Sequence, residues 1–163
     1  MVNDDGRLST RRFTALLNDR HVAMPDAQML LAAAKVQAKA ESKRLLVQVS
    51  GAQCHPCVLL SRYLNDYKDL IAKDYIYVKL DSRMKNGARA IRDVRRGDES
   101  SIPWMSILAA DGAQLATSDH KDKGNIGFPS SQTGRAHFAE MLDSTRVNLS
   151  EAEVDKLLAG LAP

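Results

Sequence analysis

The chain has 163 residues, of which 44% are apolar, so it is long enough for one well-buried core and short for two. Its net charge of +3 is too mild to indicate nucleic-acid binding, and its longest apolar runs are well short of a membrane span. Both cysteines fall in one Cys-x-x-Cys motif, which excludes a disulfide-stapled scaffold and leaves redox chemistry or metal binding.

The N-terminal residues carry no targeting pattern. Residues 1–5 show no basic start followed by an apolar stretch, so no signal peptide is predicted. The protein is therefore expected to be cytoplasmic, or extracytoplasmic if a leader has been removed. The polar residues 1–24, with one small apolar cluster around Leu16, are predicted to form a loosely ordered N-terminal arm. A single domain is then expected over residues 25–163.

Residues 25–43 are predicted to form a helix that precedes the first strand. Several apolar residues follow helical spacing and are expected to face a sheet, namely Met29, Ala32, Ala33, Val36 and Ala40. The other face would carry Lys35, Lys39 and Lys43. Because small alanines suit close packing, we interpret this helix as structural.

The cysteine motif lies between a predicted strand and a predicted helix. The apolar run over residues 45–49 is typical of a strand buried on both faces of a sheet, and it stops at the permissive bend Ser50-Gly51. After the motif, one apolar face of an amphipathic helix is formed by Leu60, Tyr63, Leu64, Tyr67 and Ile71. Cys54 is therefore expected at or just before the first helical turn, and Cys57 inside it.

This placement predicts the chemistry of the two sulfurs. Unsatisfied N–H groups and the positive end of the macrodipole favour a thiolate at a helix N-terminus. Cys54 is therefore predicted to attack a partner's disulfide, and Cys57 to resolve the mixed disulfide. His55 is a candidate cationic neighbour that would tune Cys54, and Pro56 pre-sets φ for the opening turn.

A second strand and a basic segment follow the cysteine helix. Residues 75–80 are predicted to form a strand parallel to the first, because a helix connects the two. Residues 83–97 are strongly basic, with Asp93 as the single acid. We favour a solvated helix face with Ala88, Ile91 and Val94 turned inward, over a basic rim that selects acidic protein partners or adjusts Cys54.

A hairpin and a long loop are predicted next. Residues 105–110 and 114–117 flank Asp111-Gly112, a dipeptide typical of hairpin turns. Residues 118–134 are polar, and no regular element is predicted there. Phe128 is expected to pin this loop to the core, with a cap over the active-site groove as the alternative.

Two helices are predicted at the C-terminal end, one around Phe138 and a second, additional one around Leu157. Ser150 and Glu153 have the spacing of a capping box at the start of the second helix. Both helices are expected to cover the far face of the sheet.

The segments Cys54-His55-Pro56-Cys57 and Ser101-Ile102-Pro103-Trp104 together resemble the two active-site segments of the thioredoxin-fold family. The resemblance covers residues 27–117 well and the C-terminal helices loosely. It implies a three-layer α/β/α sandwich around a central mixed sheet of about four strands. It also implies an exposed Cys54 and a protected Cys57, faced by a cis-proline at Pro103. Ile102 would contact substrate through its backbone, and Trp104 would lie near the sulfurs or in the core.

The chain departs from the family pattern at two positions. Gln53 replaces the tryptophan that usually precedes the first cysteine, and Gln48 replaces a buried aspartate that moves a proton to and from the resolving thiol. Because an amide cannot act as a general acid or base, a slow resolving step is predicted. Lys79 resembles the strand lysine that accompanies the aspartate. If His55 stabilises the thiolate, the couple becomes more oxidising by about 30 mV for each ~1.4 kcal/mol.

Three functional hypotheses follow. The first is a thiol–disulfide oxidoreductase that acts on protein thiols and disulfides without a cofactor, a membrane span or nucleic acid, with a redox recycling partner that the sequence does not identify. The second is a catalytically weak binding module that uses the basic helix and the loop over residues 118–134. The third is metal capture by the two cysteines and a histidine, which is disfavoured because His21, His120 and His137 are isolated in sequence.

Overall fold

The computed structural model describes residues 24–95 and 101–161. The helices are α1 (Ala27–Ala40), α2 (His55–Asp66), α3 (Lys68–Ile71), α4 (Gly87–Val94), α5 (Gln132–Asp143) and α6 (Glu151–Ala159). The strands are β1 (Arg44–Ser50), β2 (Tyr75–Asp81), β3 (Trp104–Leu108), β4 (Gln114–Thr117), β5 (Asp119–His120) and β6 (Gly124–Asn125). Almost all of the predicted N-terminal arm, residues 1–23, lies outside the described residues, as do residues 96–100 of the basic segment and the turn after it.

A mixed four-stranded sheet forms the centre of the molecule, with the strand order β2-β1-β3-β4. β1 pairs parallel to β2 and antiparallel to β3, and β3 pairs antiparallel to β4. The apolar run predicted as a strand buried on both faces is β1, and it is buried from Leu45 through Ser50. The predicted central mixed sheet of a thioredoxin-like sandwich is confirmed.

Two apolar clusters, one on each face of the sheet, make up the core. α2, α5 and α6 pack on one face around Leu46, Met105 and Phe138. α1 and α4 pack on the other face, around Val47 and Leu108. Alternate residues of a strand point to opposite faces, so β1, β2 and β3 each supply both clusters. The three layers bring the carboxyl end of β1 to the amino end of α2, where the cysteines lie.

The buried face of α1 is not the predicted one. Met29 and Val36 were expected to face the sheet, but both are 72% exposed. The residues that contact the sheet cluster are instead Ala27, Leu31, Ala34 and Ala38. Both sets have helical spacing, and the buried set is the one whose small side chains let the helix approach the strands closely.

The basic segment forms the short helix α4, and its inward face also differs from the prediction. Val94 is buried as expected and Ile91 is partly buried, whereas Ala88 is exposed. Gly87 and Ala90 are buried instead. A Cβ at Gly87 would lie 2.3 Å from the carbonyl oxygen of Asp81, so this close approach of helix and strand requires glycine.

Residues 118–134 contain regular structure, contrary to the prediction. β5 and β6 form a two-stranded antiparallel sheet, and α5 begins at Gln132, inside the segment expected to be a loop. Phe128 packs against the core cluster on the α2 side of the sheet. The hairpin predicted at Asp111-Gly112 is present, with Gly112 at φ +96°.

The C-terminal helices cover the sheet as predicted, and the capping box at the start of α6 has both of its hydrogen bonds. In the parts of the chain described here, no helix has the length and apolar character needed to cross a bilayer.

Candidate functional site

Cys54 and Cys57 lie where β1 passes into α2. Gln53 has a left-handed backbone conformation with φ +55°, and this turn places Cys54 at the N-cap of the helix. Cys54 Sγ accepts a hydrogen bond from the Cys57 backbone N–H at 3.2 Å, and the two sulfurs are joined in a disulfide. The helix N-terminus thus directs an N–H donor at the first sulfur, which is the contact that favours a thiolate there once the pair is reduced.

The two sulfurs differ in accessibility. Cys57 is 1% exposed, whereas Cys54 is only half-buried. His55 and Pro56 lie on the surface between them, and Pro56 occupies the first helical turn as predicted. An incoming sulfur can therefore reach Cys54 from solvent but cannot reach Cys57 directly.

A polar cluster lies behind Cys57, around the Gln48 that replaces the buried aspartate of the family pattern. Gln48 is 0% exposed. Its Nε2 donates to the Cys57 carbonyl oxygen at 3.0 Å, and its Oε1 accepts from Ser61 Oγ at 3.2 Å and from Tyr77 Oη at 2.5 Å. Ser61 Oγ also lies 2.9 Å from the Cys57 carbonyl oxygen. The amide therefore holds the first turn of α2 through the backbone of the resolving cysteine.

Tyr77 acts as a donor in this cluster. Burial raises the pKa of the Tyr77 hydroxyl, and its hydrogen bond with Ser61 opposes this rise only in part. The hydroxyl is thus protonated at neutral pH and donates to Gln48. Neither Tyr77 nor Ser61 was predicted as a site residue. Ser61 lies one helical turn after Cys57, so helical spacing is the signal that could have indicated it.

A cationic groove opens beside Cys54. This cavity has a volume of about 440 Å³, and its walls include Gln53, Cys54, His55, Val58, Lys79 and Arg83. Arg83 donates from Nε and Nη2 to the two carboxylate oxygens of Asp81, at 2.8 and 2.7 Å. These hydrogen bonds hold the pKa of Asp81 below its usual value. Lys79, which resembles the strand lysine of the family, lines the same cavity as Cys54.

The second predicted segment contacts the bend that leads to the cysteines. The Ile102–Pro103 peptide bond is cis. A Cβ at Gly51 would lie 3.0 Å from Ile102 Cδ1, so the two loops touch. Asn125 Nδ2 donates to the Pro103 carbonyl oxygen at 2.9 Å and to the Ser101 carbonyl oxygen at 3.1 Å. The β5–β6 hairpin thus stabilises the proline loop through Asn125. This hairpin was not predicted from the sequence.

Trp104 lies in the core, one of the two positions considered for it. Its side chain is 1% exposed and belongs to the cluster on the α1 side of the sheet. The Arg95 guanidinium lies 5.0 Å from the ring centroid, and the indole N–H donates to Asp119 at 2.7 Å. Arg95 itself is buried, although the basic segment was predicted to be solvated. A direct contact between the indole ring and substrate is not compatible with this burial.

The described residues do not form a metal-binding cluster. His120 and His137, which are far apart in sequence, have ring centroids 5.3 Å apart. Even so, residues 24–95 and 101–161 contain no group of three or more histidine, cysteine, aspartate or glutamate side chains arranged to hold a metal ion.

Three solved structures that are similar to this chain were compared with it, and the first supports the fold. A disulphide isomerase from Xylella fastidiosa Temecula1 matches with a TM-score of 0.52 at 19% identity, covering 86% of this chain and 92% of that one. A redox protein from Chlamydomonas reinhardtii matches with a TM-score of 0.44 at 17% identity, over 86% of this chain and 36% of that one. A thioredoxin-fold protein from Helicobacter pylori matches with a TM-score of 0.44 at 14% identity, over 73% and 82%.

Comparison with curated proteins gave no significant match. The model of the family described as thioredoxin-like matches residues 26–110, which include β1, both cysteines, the cis-proline and β3. This range is more than half of the 163-residue chain. The chain is therefore a member of the thioredoxin-like family.

Proposed function

We propose that the protein is a thiol–disulfide oxidoreductase that exchanges disulfides with protein substrates through Cys54 and Cys57. The observation that carries the proposal is the asymmetry of the pair. Cys54 is half-buried at the helix N-cap with an N–H directed at its sulfur, and Cys57 is 1% exposed and within bonding reach. A half-exposed nucleophile and a protected resolving thiol are what sequential exchange requires.

The exchange is a two-electron transfer in two steps. The Cys54 thiolate attacks one sulfur of the substrate disulfide, so a Cys54–substrate bond forms while the substrate S–S bond breaks and one substrate thiolate leaves. Cys57, after losing its proton, then attacks Cys54 Sγ and releases the second substrate thiolate. The enzyme dithiol is oxidised to the Cys54–Cys57 disulfide, and its two protons end on the two substrate thiols.

Pro103 and Ile102 have supporting roles in this proposal. Their loop lies against Gly51, at the entrance to the cysteine turn. The backbone of Ile102 would pair with an extended substrate segment, and Pro103 would shape that edge of the groove. Trp104 would keep this loop in place through its buried contacts with Arg95 and Asp119. His55 would tune the Cys54 thiolate.

The test combines the reduction potential of the pair with the reduction of insulin disulfides. We expect a defined two-electron potential, measured by equilibration with glutathione buffers, and turnover that is lost in Cys54→Ser. Failure of the dithiol to form its intramolecular disulfide, or undiminished turnover in Cys54→Ser, would contradict the proposal. Dithiothreitol serves as the reductant that recycles the protein in this assay.

A weakly catalytic binding module is the second candidate, and the burial of Gln48 favours it. An amide at this position cannot relay the proton of Cys57, so the resolving step lacks a general base from the cluster. This candidate predicts a partner whose binding survives substitution of both cysteines by serine. Efficient turnover of insulin by the unmodified protein would exclude it.

A further inference from the structure

The cationic groove contains an amine, that of Lys79, which forms no direct ion pair and interacts with the buried Asp81 only at longer range. Lys79 pairs in register with Gln48 across β1 and β2 and lies on the same face of the sheet as Tyr77. Its side chain reaches the groove wall beyond the buried cluster, where it is half-exposed. Within the described residues, no carboxylate lies within ion-pair distance of its Nζ.

The rest of the groove presents positive charge at its surface, because the nearby acid Asp81, which offsets part of the Arg83 charge, is buried beneath that arginine. Asp81 uses both of its carboxylate oxygens on Nε and Nη2 of Arg83, and its side chain is 5% exposed beneath that arginine. The Arg83 side chain is 58% exposed, and its Nη1 makes no hydrogen bond within the described part of the chain. His55 lines the same cavity, and none of the cavity's lining residues is an aspartate or glutamate.

We infer that this groove selects disulfide substrates in which an acidic residue flanks the reacting cysteine. The inference rests on the proposed function, since the groove shares Cys54 with the redox site. A carboxylate one residue from the substrate sulfur would meet Lys79 and the free edge of Arg83 while the sulfur lies at Cys54. A concave surface with one sign of charge raises the local concentration of oppositely charged ligands and their association rate.

The attraction between the groove and the substrate carboxylate affects only the first step of the exchange. The carboxylate is not consumed, since it orients the substrate while the Cys54–substrate bond forms and the substrate S–S bond breaks. The leaving substrate thiolate takes a proton from solvent, and Cys57 then completes the two-electron reduction as above. Selection should therefore appear in the second-order rate constant of reduction, and it should weaken as salt screens the groove.

The experiment uses two disulfide-linked dimers of blocked tripeptides, one Glu-Cys-Glu and the other Gln-Cys-Gln. The full-length reduced protein is mixed with each dimer, the reaction is quenched with acid, and the released thiol is quantified by mass spectrometry. Each rate constant is divided by that of dithiothreitol with the same dimer, which corrects for the intrinsic reactivity of the two disulfides. The readout is the ratio of the corrected rate constants, acidic over amide.

We expect the unmodified protein to give a ratio of about ten at low ionic strength, falling severalfold in 0.5 M salt. Lys79→Gln should bring the ratio close to unity, and Lys79→Arg should restore most of it because the charge is kept. Arg89→Gln, which removes an equal charge from an exposed position of α4, should keep the full ratio.

Two results would overturn the inference. One is a ratio near unity for the unmodified protein, and the other is an unchanged ratio in Lys79→Gln. Both differ from failure of the proposed function, in which neither dimer would be reduced at all. Equal reduction of both dimers thus leaves the oxidoreductase proposal standing and removes only the selection of acidic substrates.

Discussion

Gln48 determines which proton transfers are available to Cys57. Its amide is buried, and all of its recorded hydrogen bonds go to the Cys57 carbonyl, Ser61 and Tyr77. Since neither the amide nor a tyrosine whose pKa burial has raised can accept a proton at neutral pH, this cluster supplies no general base for the Cys57 thiol. The proposed exchange should consequently be limited by its second step.

Gln48→Asp should accelerate that step. Burial raises the pKa of a carboxyl group toward neutrality, where it serves as a general base for a nearby thiol. We expect resolution of a preformed Cys54 mixed disulfide to be about tenfold faster than in Gln48→Asn, measured by stopped-flow release of the substrate thiol.

Gln48→Asn is the matched control because it shortens the side chain equally and adds no ionisable group. Both variants lose the bond to the Cys57 carbonyl, so a difference between them isolates proton transfer. Equal resolution rates in the two variants would show that deprotonation of Cys57 is not the slow event.

Single site residues were predictable where a local pattern specified them. The Cys-x-x-Cys spacing and the helix that follows it located the N-cap position of Cys54. Tyr77 was missed because its relevance depends on the register between β1 and β2, whereas Ser61 was missed although its helical spacing from Cys57 indicated it. Arg95 was missed because a basic run usually faces solvent, whereas this arginine stacks on a buried indole.

At the scale of elements, helix α1 has two faces with helical spacing, and either could have packed against the sheet. Ala38 is 0% exposed against the strands, whereas Ala33, which was expected to face inward, lies on the exposed face. The same substitution should therefore destabilise the protein at Ala38 and have little effect at Ala33. Ala38→Leu should lower the free energy of unfolding by about 1–3 kcal/mol through overpacking, and Ala33→Leu should change it by less than about 0.5 kcal/mol.

Urea denaturation followed by circular dichroism measures both changes. The two variants add the same side chain to the same helix, so helix propensity cancels between them. If Ala33→Leu lowered the free energy of unfolding more than Ala38→Leu does, the buried face of α1 would be the one predicted from sequence. That result would contradict the structure of this layer.

Strands were more predictable than helix faces or loops. β1 and β2 are uninterrupted β-favouring runs, and the Asp-Gly turn defines the hairpin between β3 and β4. The β5–β6 sheet is different, because it is held by side chains with distant partners. Ser118 Oγ donates to Asn125 Oδ1 at 2.8 Å, and Asn125 in turn holds the proline loop. A local sequence pattern cannot predict such contacts.

At the scale of the molecule, Asp74 joins the start of β2 to the connection between α5 and α6. Its carboxylate accepts from the backbone N–H groups of Val147, Asn148 and Leu149 at 2.9, 2.8 and 2.9 Å. Burial alone would raise the pKa of Asp74, but hydrogen bonds from Leu149, Val147 and Asn148 outweigh it and lower the pKa. The ionised form is therefore the one that stabilises the fold.

The sign of the pH dependence follows from this lowered pKa. The stabilisation from Asp74 is complete above its unfolded-state value near 3.9, and it is lost as the pH falls through the lower folded-state value. At pH 7, Asp74→Asn should lower the free energy of unfolding by about 2–3 kcal/mol. The side-chain NH₂ of the asparagine would lie against backbone N–H groups, and those groups would lose a hydrogen-bond acceptor. The cost should shrink below pH 4.

Urea titrations between pH 7 and pH 2.5 measure this dependence. Asp69→Asn makes the same change at an exposed carboxylate and should alter stability by less than about 0.5 kcal/mol at all pH values. A cost for Asp74→Asn that stays constant through the acid range would show that the carboxylate is not the stabilising form.

The three layers together present one sulfur and protect the other, and the rate of mixed-disulfide formation in single-cysteine variants tests this most directly. Cys57→Ser and Cys54→Ser are each mixed with the amide tripeptide dimer, and mass spectrometry follows the adduct. Because Cys57 is 1% exposed, Cys57→Ser should form its Cys54 adduct at least about tenfold faster than Cys54→Ser forms its own. Equal rates, or a faster reaction at Cys57, would contradict the assignment of Cys54 as the nucleophile.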